Sequence, residues 1–340
     1  LQPLILGCGN NSAGNDPNSF SANLVFSAIL SAKSRKETSM TIALPSLRVG
    51  EPVHYEGLSV FPLFTNAVSQ VEYRVAEEAL AGGSATVEEV SETGSVPELL
   101  VDNRGDIRLL LLEGEELRGA KQNRILNTSV LVAARTKLKI PVSCVEQGRW
   151  RYSDRHFRSS GHHATSKVRR AVKASVTESL KSNLGHRSDQ GHVWQEVEML
   201  CCAMEVESET AAMSAVFDAC EDSIADFRDQ LKYVDGASGM AVAIGGRVTS
   251  VDFFDKPATC ARVWDRLLSG MVFDALEAKK NDRTASTADV ERLLAEDFAW
   301  QPVAAVGEGS ECRAESPRGD HASALVLDDV VVHGSIMAAE

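Results

Sequence analysis

Three features are missing from this chain of 340 residues, and each closes off a class of function. No apolar run approaches the ~20 residues that a membrane-spanning helix requires, so no membrane association is expected. The seven cysteines form no Cys-x-x-Cys pair, and Cys201 and Cys202 are adjacent. That spacing argues against both a disulfide framework and a zinc ribbon, and for reduced, partly buried thiols in a cytoplasmic protein. Neither a P-loop nor the glycine fingerprint of a dinucleotide fold is present; Gly245-Gly246 reads only as a turn.

What is present is an ordinary globular composition, 44% hydrophobic, with a formal net charge of -13. That is enough chain for one large domain or two small ones. Leu1 stands first, residues 8–39 are rich in Ser and Asn, and Met40 opens more typical sequence. Residues 1–40 are expected to be a disordered leader, with the folded domain over 45–340. No basic residue precedes the short apolar "LVFSAIL", and Ser27 interrupts it, which disfavours a secretory signal. Lys33, Arg35 and Lys36 among serines leave an organelle-transit reading open.

Charge is unevenly spread. Between Arg118 and Lys173 stand fourteen Lys and Arg against Glu146 and Asp154 alone, a segment of +12 within a protein of -13. Such a segment either gathers anions or folds against the acidic remainder and is neutralised by it.

Residues 53–150 read mainly as strands, with one short helix in "VAEEALAGG" ended by Gly82-Gly83. "RYSDRHFRSSGHHATSK" has no periodicity and reads as a long basic loop. Val168, Val172, Val176 and Leu180 recur at i, i+4 and mark an amphipathic helix. Helical sequence continues to about 232, its last part capped by Ser208. "MAVAIGGRVTSVDFF" is a hairpin turning at Gly245-Gly246, and "SALVLDDVVVHGSIM" is another turning at Asp328-Asp329. Between them lie helices at about 258–280 and 287–299, the second opened by Ser286-x-x-Asp289. The expected fold is α+β: a single domain with a strand-rich N-terminal half, a central helical segment and two late β-hairpins sharing one core.

"LLLLEGEELRGAKQNRIL", residues 109–126, concentrates the chemistry. It reads as another hairpin: a strand buried on both faces, a turn at Gly114, then a return strand. Glu113 and Glu115 would flank the turn, and Lys121, Gln122, Asn123 and Arg124 would follow on the return strand. Strand alternation would send Lys121 and Asn123 to one face and Gln122 and Arg124 to the other. "VEQGRW" repeats the palette with Glu146, Gln147, Arg149 and Trp150. Carboxylates for proton transfer, an arginine fork for phosphate and an indole for stacking suit a small anionic, nucleotide-like ligand. Salt bridges and amide bonds that merely hold the strands together are the alternative.

"EGLSVFPLF", "SVPELLVDNRGD", "LLLLEGEELRGAKQNRILNTSVLV" and "IPVSCVEQGRW" together closely resemble the ARG and Rhodanese-Phosphatase-superfamily-associated (ARPP) domain family. The later hairpins look like its C-terminal parts, and the resemblance runs from about Glu51 to Met337. It implies an α+β enzymatic domain. The family's association with ADP-ribosylglycohydrolases and rhodanese-phosphatases implies work on NAD- or ADP-ribose-derived molecules. Which cofactor the chain uses, if any, the resemblance leaves unknown. The residues it points to are those already reached: Glu113, Glu115 and Glu146 as candidate acid/base groups, with Lys121, Gln122, Asn123, Arg124, Gln147, Arg149 and Trp150 binding substrate.

Other candidates are weaker. His156, His162 and His163 with Cys144 match no standard metal-ligand spacing, and no metal site is assigned. His333 on the last strand reads as structural, and Cys144 as a buried inert thiol rather than a nucleophile. Three functions stand side by side: an enzyme acting on an ADP-ribose-like molecule, a non-catalytic module binding one, and an RNA-binding protein. The last is disfavoured because only Trp150, Tyr152 and Phe157 offer stacking surfaces in the basic segment. The oligomeric state is not written in the sequence.

Overall fold

A strand wedged between two cores buries both of its faces, and the leucine run does this. In the computed structural model, which describes residues 44–67, 69–278 and 283–339, Leu109 and Leu111 enter one core while Leu110 and Leu112 enter another. On the strand paired with it, Val130 and Val132 join the first core and Leu131 the second. Side chains alternate across a strand, so four consecutive leucines can each be buried without sharing a face.

The chain begins with β1 (Leu47–Val49), β2 (Val53–Tyr55), β3 (Leu58–Thr65), β4 (Tyr73–Val75) and α1 (Ala76–Ala81). Next come β5 (Ala85–Glu89), β6 (Glu98–Asn103), β7 (Arg108–Leu111), β8 (Glu115–Gly119), β9 (Arg124–Leu126), β10 (Val130–Val132), β11 (Thr136–Cys144) and β12 (Phe157–His163). The helical segment holds α2 (Ser166–Lys181), α3 (Gln190–Ala203), α4 (Met213–Ala219) and α5 (Glu221–Gln230). After it run β13 (Gly239–Ile244), β14 (Arg247–Phe254), α6 (Pro257–Glu277), α7 (Thr287–Leu294), β15 (Gln301–Val303), β16 (Ser310–Glu315), β17 (His321–Leu327) and β18 (Val330–Met337).

Among the described residues the strands sort into three sheets. A nine-stranded sheet follows the order β1-β3-β13-β14-β18-β17-β16-β15, with β2 also on β3. A closed barrel runs β11-β6-β5-β12-β8-β9, and β10-β7-β4 form a small sheet. The barrel is filled by Val87, Leu99, Val101, Leu117, Leu126, Ile140, Val142 and Phe157. The main core lies between sheets and helices, joining Leu58, Val60, Met240 and Val242 to Val168, Val172, Phe217, Trp264 and Leu267. The other face of the large sheet packs Phe61, Leu63, Val251 and Phe253 against Val290 and Leu293 of α7. This is an α+β domain, and the early strands, the late hairpins and the helices share its core. Among the described residues no helix is long and apolar enough to cross a membrane. The leader expected over residues 1–40 lies outside the described residues.

Both late hairpins turn where their sequences indicate. Gly245 and Gly246 take φ of 56° and 83°, and Asp328 and Asp329 take 51° and 62°, the left-handed pairs that match strand twist. Ser286 donates its N–H to the Asp289 carboxylate at the start of α7.

Four local readings are corrected. The "loop" at 151–167 contains β12, whose "FRSSGHH" lacks apolar alternation but pairs with β8 and β5. The last helical stretch of the central segment starts at Met213 rather than at Ser208, whose hydroxyl accepts the Ala212 N–H, and breaks at Cys220 into α4 and α5. The leucine hairpin does not form. Gly114 does turn (φ 81°), but β7 pairs with β10 and β4, whereas β8 pairs with β9 and β12. The turn therefore passes the chain from the small sheet into the barrel. Finally, Lys121–Asn123 are not on a return strand; they form the connection of the β8–β9 hairpin, so the alternation expected over 121–124 does not apply.

Candidate functional site

The basic segment is largely neutralised by acidic residues from elsewhere. Arg118 pairs with Asp218, Arg124 with Glu89, Arg135 with Asp106, Lys137 with Asp102, and Lys139 with Glu98. Arg149 pairs with Glu146, Lys167 with Glu277, Arg169 with Asp252, and Lys173 with Glu113. Among the described residues, Arg151, Arg155 and Arg158 carry no ion pair, and all three sit on the segment leading into β12 or on it.

The sequence-derived site residues fall into three groups. Glu113 and Glu115 are interior. The Lys173 Nζ of α2 lies 2.8 Å from one Glu113 oxygen, and also donates to Ser323 at 2.6 Å. Burial pushes the Glu113 carboxyl upward, but Lys173, Arg313 and Arg169 outweigh it and hold the group below its usual range. Lys173 itself is driven down to about 8 by burial, partly offset by Glu113. Glu115 accepts from Arg266 of α6 at 2.8 Å, and there burial wins and raises the carboxyl. The same interior holds Arg169 on Asp252, and His333 between Ser129 and Asp252. The sequence predicts one concave site that joins Glu113 or Glu115 to Lys121 or Asn123 and to Glu146 or Arg149. The fold instead keeps the two glutamates apart from Glu146 and Arg149. Alternation and the Gly114 turn hand these two carboxylates to partners on α2 and α6.

Asn123, Glu146 and Arg149 form the second group, and they do come together. Arg149 places Nε 2.8 Å and Nη2 2.7 Å from the two Glu146 oxygens. Its remaining donors reach the carbonyls of Gly119, Ala120 and Arg151, the Ser153 hydroxyl and Asn123 Oδ1. Glu146 also accepts from the Asn123 N–H at 3.0 Å and the Thr210 hydroxyl at 3.0 Å. Although burial opposes it, these bonds hold the Glu146 carboxyl below its ordinary value. Both groups are fully committed, and they pin the 119–124 connection to the loop after β11. A cleft of about 450 Å³ opens beside this network. Its walls bring Arg118, Arg158 and Asp154 together with the hydroxyls of Ser153, Ser208, Thr210 and Ser214.

Lys121, Gln122, Arg124, Gln147 and Trp150 make the third group, at the end of the barrel. Lys121 donates to the Glu92 carbonyl at 2.6 Å and lies 5.4 Å and 5.1 Å from the Trp150 and Tyr152 ring centres. Gln122 donates to the Gln147 carbonyl and accepts from Arg124. Arg124 is wholly buried beneath Trp150, its guanidinium 5.7 Å from that ring.

Sequence reasoning passed over Glu116. Leu117 points into the barrel, so alternation turns Glu116 and Arg118 outward on β8. Neither Glu116 oxygen finds a donor in good geometry. Burial pushes its carboxyl up to about 7, with Ser160 and Arg118 offsetting only part, and Asp218 and Glu146 raising it further. Its place between Glu115 and Arg118 was visible; its lack of a hydrogen-bonded cation was not. The histidines share no site: His162 stacks on Phe217 and burial lowers it to about 4, while His163 packs against Gly114. Burial lifts the Cys144 thiol to about 11, which leaves it protonated and unreactive at neutral pH.

No curated protein and no solved structure matches this chain. A family model does, over residues 46–337, which takes in the barrel, the helices and the large sheet alike. The chain therefore belongs to the ARG and Rhodanese-Phosphatase-superfamily-associated Protein domain family, ARPP-1.

Proposed function

We propose that the cleft beside the barrel binds a small anionic, nucleotide-like molecule derived from NAD or ADP-ribose, and that the protein acts on it as an enzyme. One observation carries this reading: among the basic residues of this segment that have no carboxylate partner, Lys121 and Arg170 donate to backbone carbonyls, whereas Arg151, Arg155 and Arg158 cluster ahead of and on β12, and Arg158 lines the cleft. A guanidinium without a carboxylate partner is available to a phosphate, and the four hydroxyls nearby match a ribose. The family's association with ADP-ribosylglycohydrolases and rhodanese-phosphatases supports the same ligand class.

Arg149 and Glu146 serve this cleft by shaping it, since every donor and acceptor they own is engaged within the fold. We assign proton transfer to Glu116, which shares a face of β8 with the cleft-lining Arg118 and whose carboxyl burial raises to about 7. A non-catalytic binding module is the second reading, favoured by the full commitment of Glu146.

Thermal stabilisation by ADP-ribose, NAD and nucleoside phosphates tests the ligand, with Arg158→Ala as the diagnostic variant. Stabilisation by at least one of them, lost in Arg158→Ala, is expected. Turnover of that ligand, abolished by Glu116→Gln with affinity retained, separates enzyme from binder. Wild-type ligand response in Arg158→Ala refutes the cleft.

A further inference from the structure

Arg124 and Glu89 meet inside the end of the barrel with three of their polar atoms unspent, although Glu89 Oε1 accepts the Lys121 N–H at 3.4 Å. Register pairs Arg124 with Leu117 and Cys144, and Glu89 with Leu99; Leu117 and Leu99 belong to the barrel's core. Cross-strand partners share a face, so both charged groups look into the barrel. Arg124 Nη1 donates to Gln122 at 3.2 Å, but its Nε and Nη2 donate to nothing. Glu89 Oε1 lies 3.8 Å from Arg124 Nη2, beyond a hydrogen bond, and Oε2 accepts nothing. Buried polar groups are satisfied as a rule, and unpaired ones call for an explanation.

Unsatisfied atoms occur elsewhere, on His163 and Arg266, but those lie in the interior between helices and sheets. Glu89 differs because it also lines a groove of about 460 Å³, with Ser91, Glu92, Tyr152 and Arg155. Above the pair stand Trp150 and Tyr152, 47% and 49% exposed, large aromatic surfaces that fold stability does not require outside. Trp150 is held over Arg124 and Lys121 by its ring face, an attachment that an incoming ring can replace.

We propose that the barrel mouth recognises a planar heteroaromatic ring bearing an N–H beside a C=O, such as the lactam edge of guanine or the carboxamide of nicotinamide. Arg124 donates from Nε and Nη2 to the carbonyl, Glu89 Oε2 accepts the N–H, and Trp150 swings outward to stack on the ring. This rests on the nucleotide-like reading of the ligand, but it places the ring in the mouth rather than in the cleft.

The test uses the full chain and ligands without phosphate, followed by tryptophan fluorescence for the wild type and by isothermal titration calorimetry for the wild type and the Trp150 variants. Guanosine and nicotinamide are the two arms, with O6-methylguanosine and nicotinic acid as partners lacking the N–H. A saturable fluorescence change is expected for one arm, with binding at least about tenfold weaker for its partner compound. Trp150→Phe, at an exposed position that leaves the fold intact, retains binding, and Trp150→Ala loses about tenfold or more. Equal binding of each ligand and its control, or no binding of either arm, overturns the proposal. Stabilisation by ribose 5-phosphate alongside that failure would leave the cleft standing, so the two readings fail separately.

Discussion

Glu116→Gln should make this protein more stable at alkaline pH and not at acid pH. The residue is fully buried, and its carboxyl is raised from 4.5 to about 7. Burial is the main cause; Asp218 and Glu146 add to it, and Ser160 and Arg118 offset part. Between the unfolded and folded values the native state keeps a proton that the unfolded chain has released. Stability therefore falls as pH rises through this window and stays low above it. For a shift from 4.5 to about 7, linkage costs the native state about 1 kcal/mol at roughly pH 5 and about 3 kcal/mol at roughly pH 8. Glutamine cannot ionise and escapes this cost. The variant's stability relative to wild type should thus rise by about 2–3 kcal/mol between the two conditions, whatever the amide costs at either one. Urea denaturation of both proteins at each pH, with unchanged m-values, measures the difference. A stability difference that is independent of pH, or one that moves the other way, would refute the assignment of Glu116 as a buried, unpaired acid.

Three further outcomes follow from the same geometry. Glu113→Gln or Lys173→Met should each cost about 3–5 kcal/mol in urea melts because a buried charge loses its partner, and Glu113→Leu combined with Lys173→Met should recover most of it; single variants of wild-type stability would remove the structural role. Gly114→Ala should lower Tm by several degrees, because φ is 81° and the new Cβ would lie 2.4 Å from the His163 ring; an unchanged Tm would show that the turn relaxes freely. Arg149→Lys should make the segment around Arg151 and Arg155 the first site of limited tryptic cleavage, since an ammonium cannot span Glu146 and the carbonyls of Gly119 and Ala120 together. Cleavage at the wild-type rate would count against the network as the loop's anchor.

Most of the elements were legible because their signals are local. Val168, Val172 and Val176 mark one face of α2 by spacing alone, and Gly245-Gly246 and Asp328-Asp329 adopt the left-handed turns their chemistry favours. β12 was not legible. "FRSSGHH" has no apolar period, and its strand character comes from the ladder that β8 offers. Of the candidate site, Asn123, Glu146 and Arg149 were rightly grouped as neighbours, but their full commitment to one another depends on carbonyls and hydroxyls that no motif reveals.

The opening stretch divides the two sources of information most cleanly. Four consecutive leucines determined that their strand would be buried on both faces, and Gly114 determined a turn, because hydrophobicity and backbone freedom belong to the residues themselves. Which core each leucine would enter, and that β8 would leave β7 for a barrel, depended on strands that pair from elsewhere in the chain. The three glutamates sit within four positions, yet Glu113 is met by Lys173 and Glu115 by Arg266, 60 and 151 residues away, while Glu116 is met by no cation in hydrogen-bonding geometry. A buried carboxylate takes its chemistry from the charge packed against it. That neighbour is chosen by tertiary contacts, so adjacency along the chain could not say which of the three would be neutralised and which left poised near neutrality.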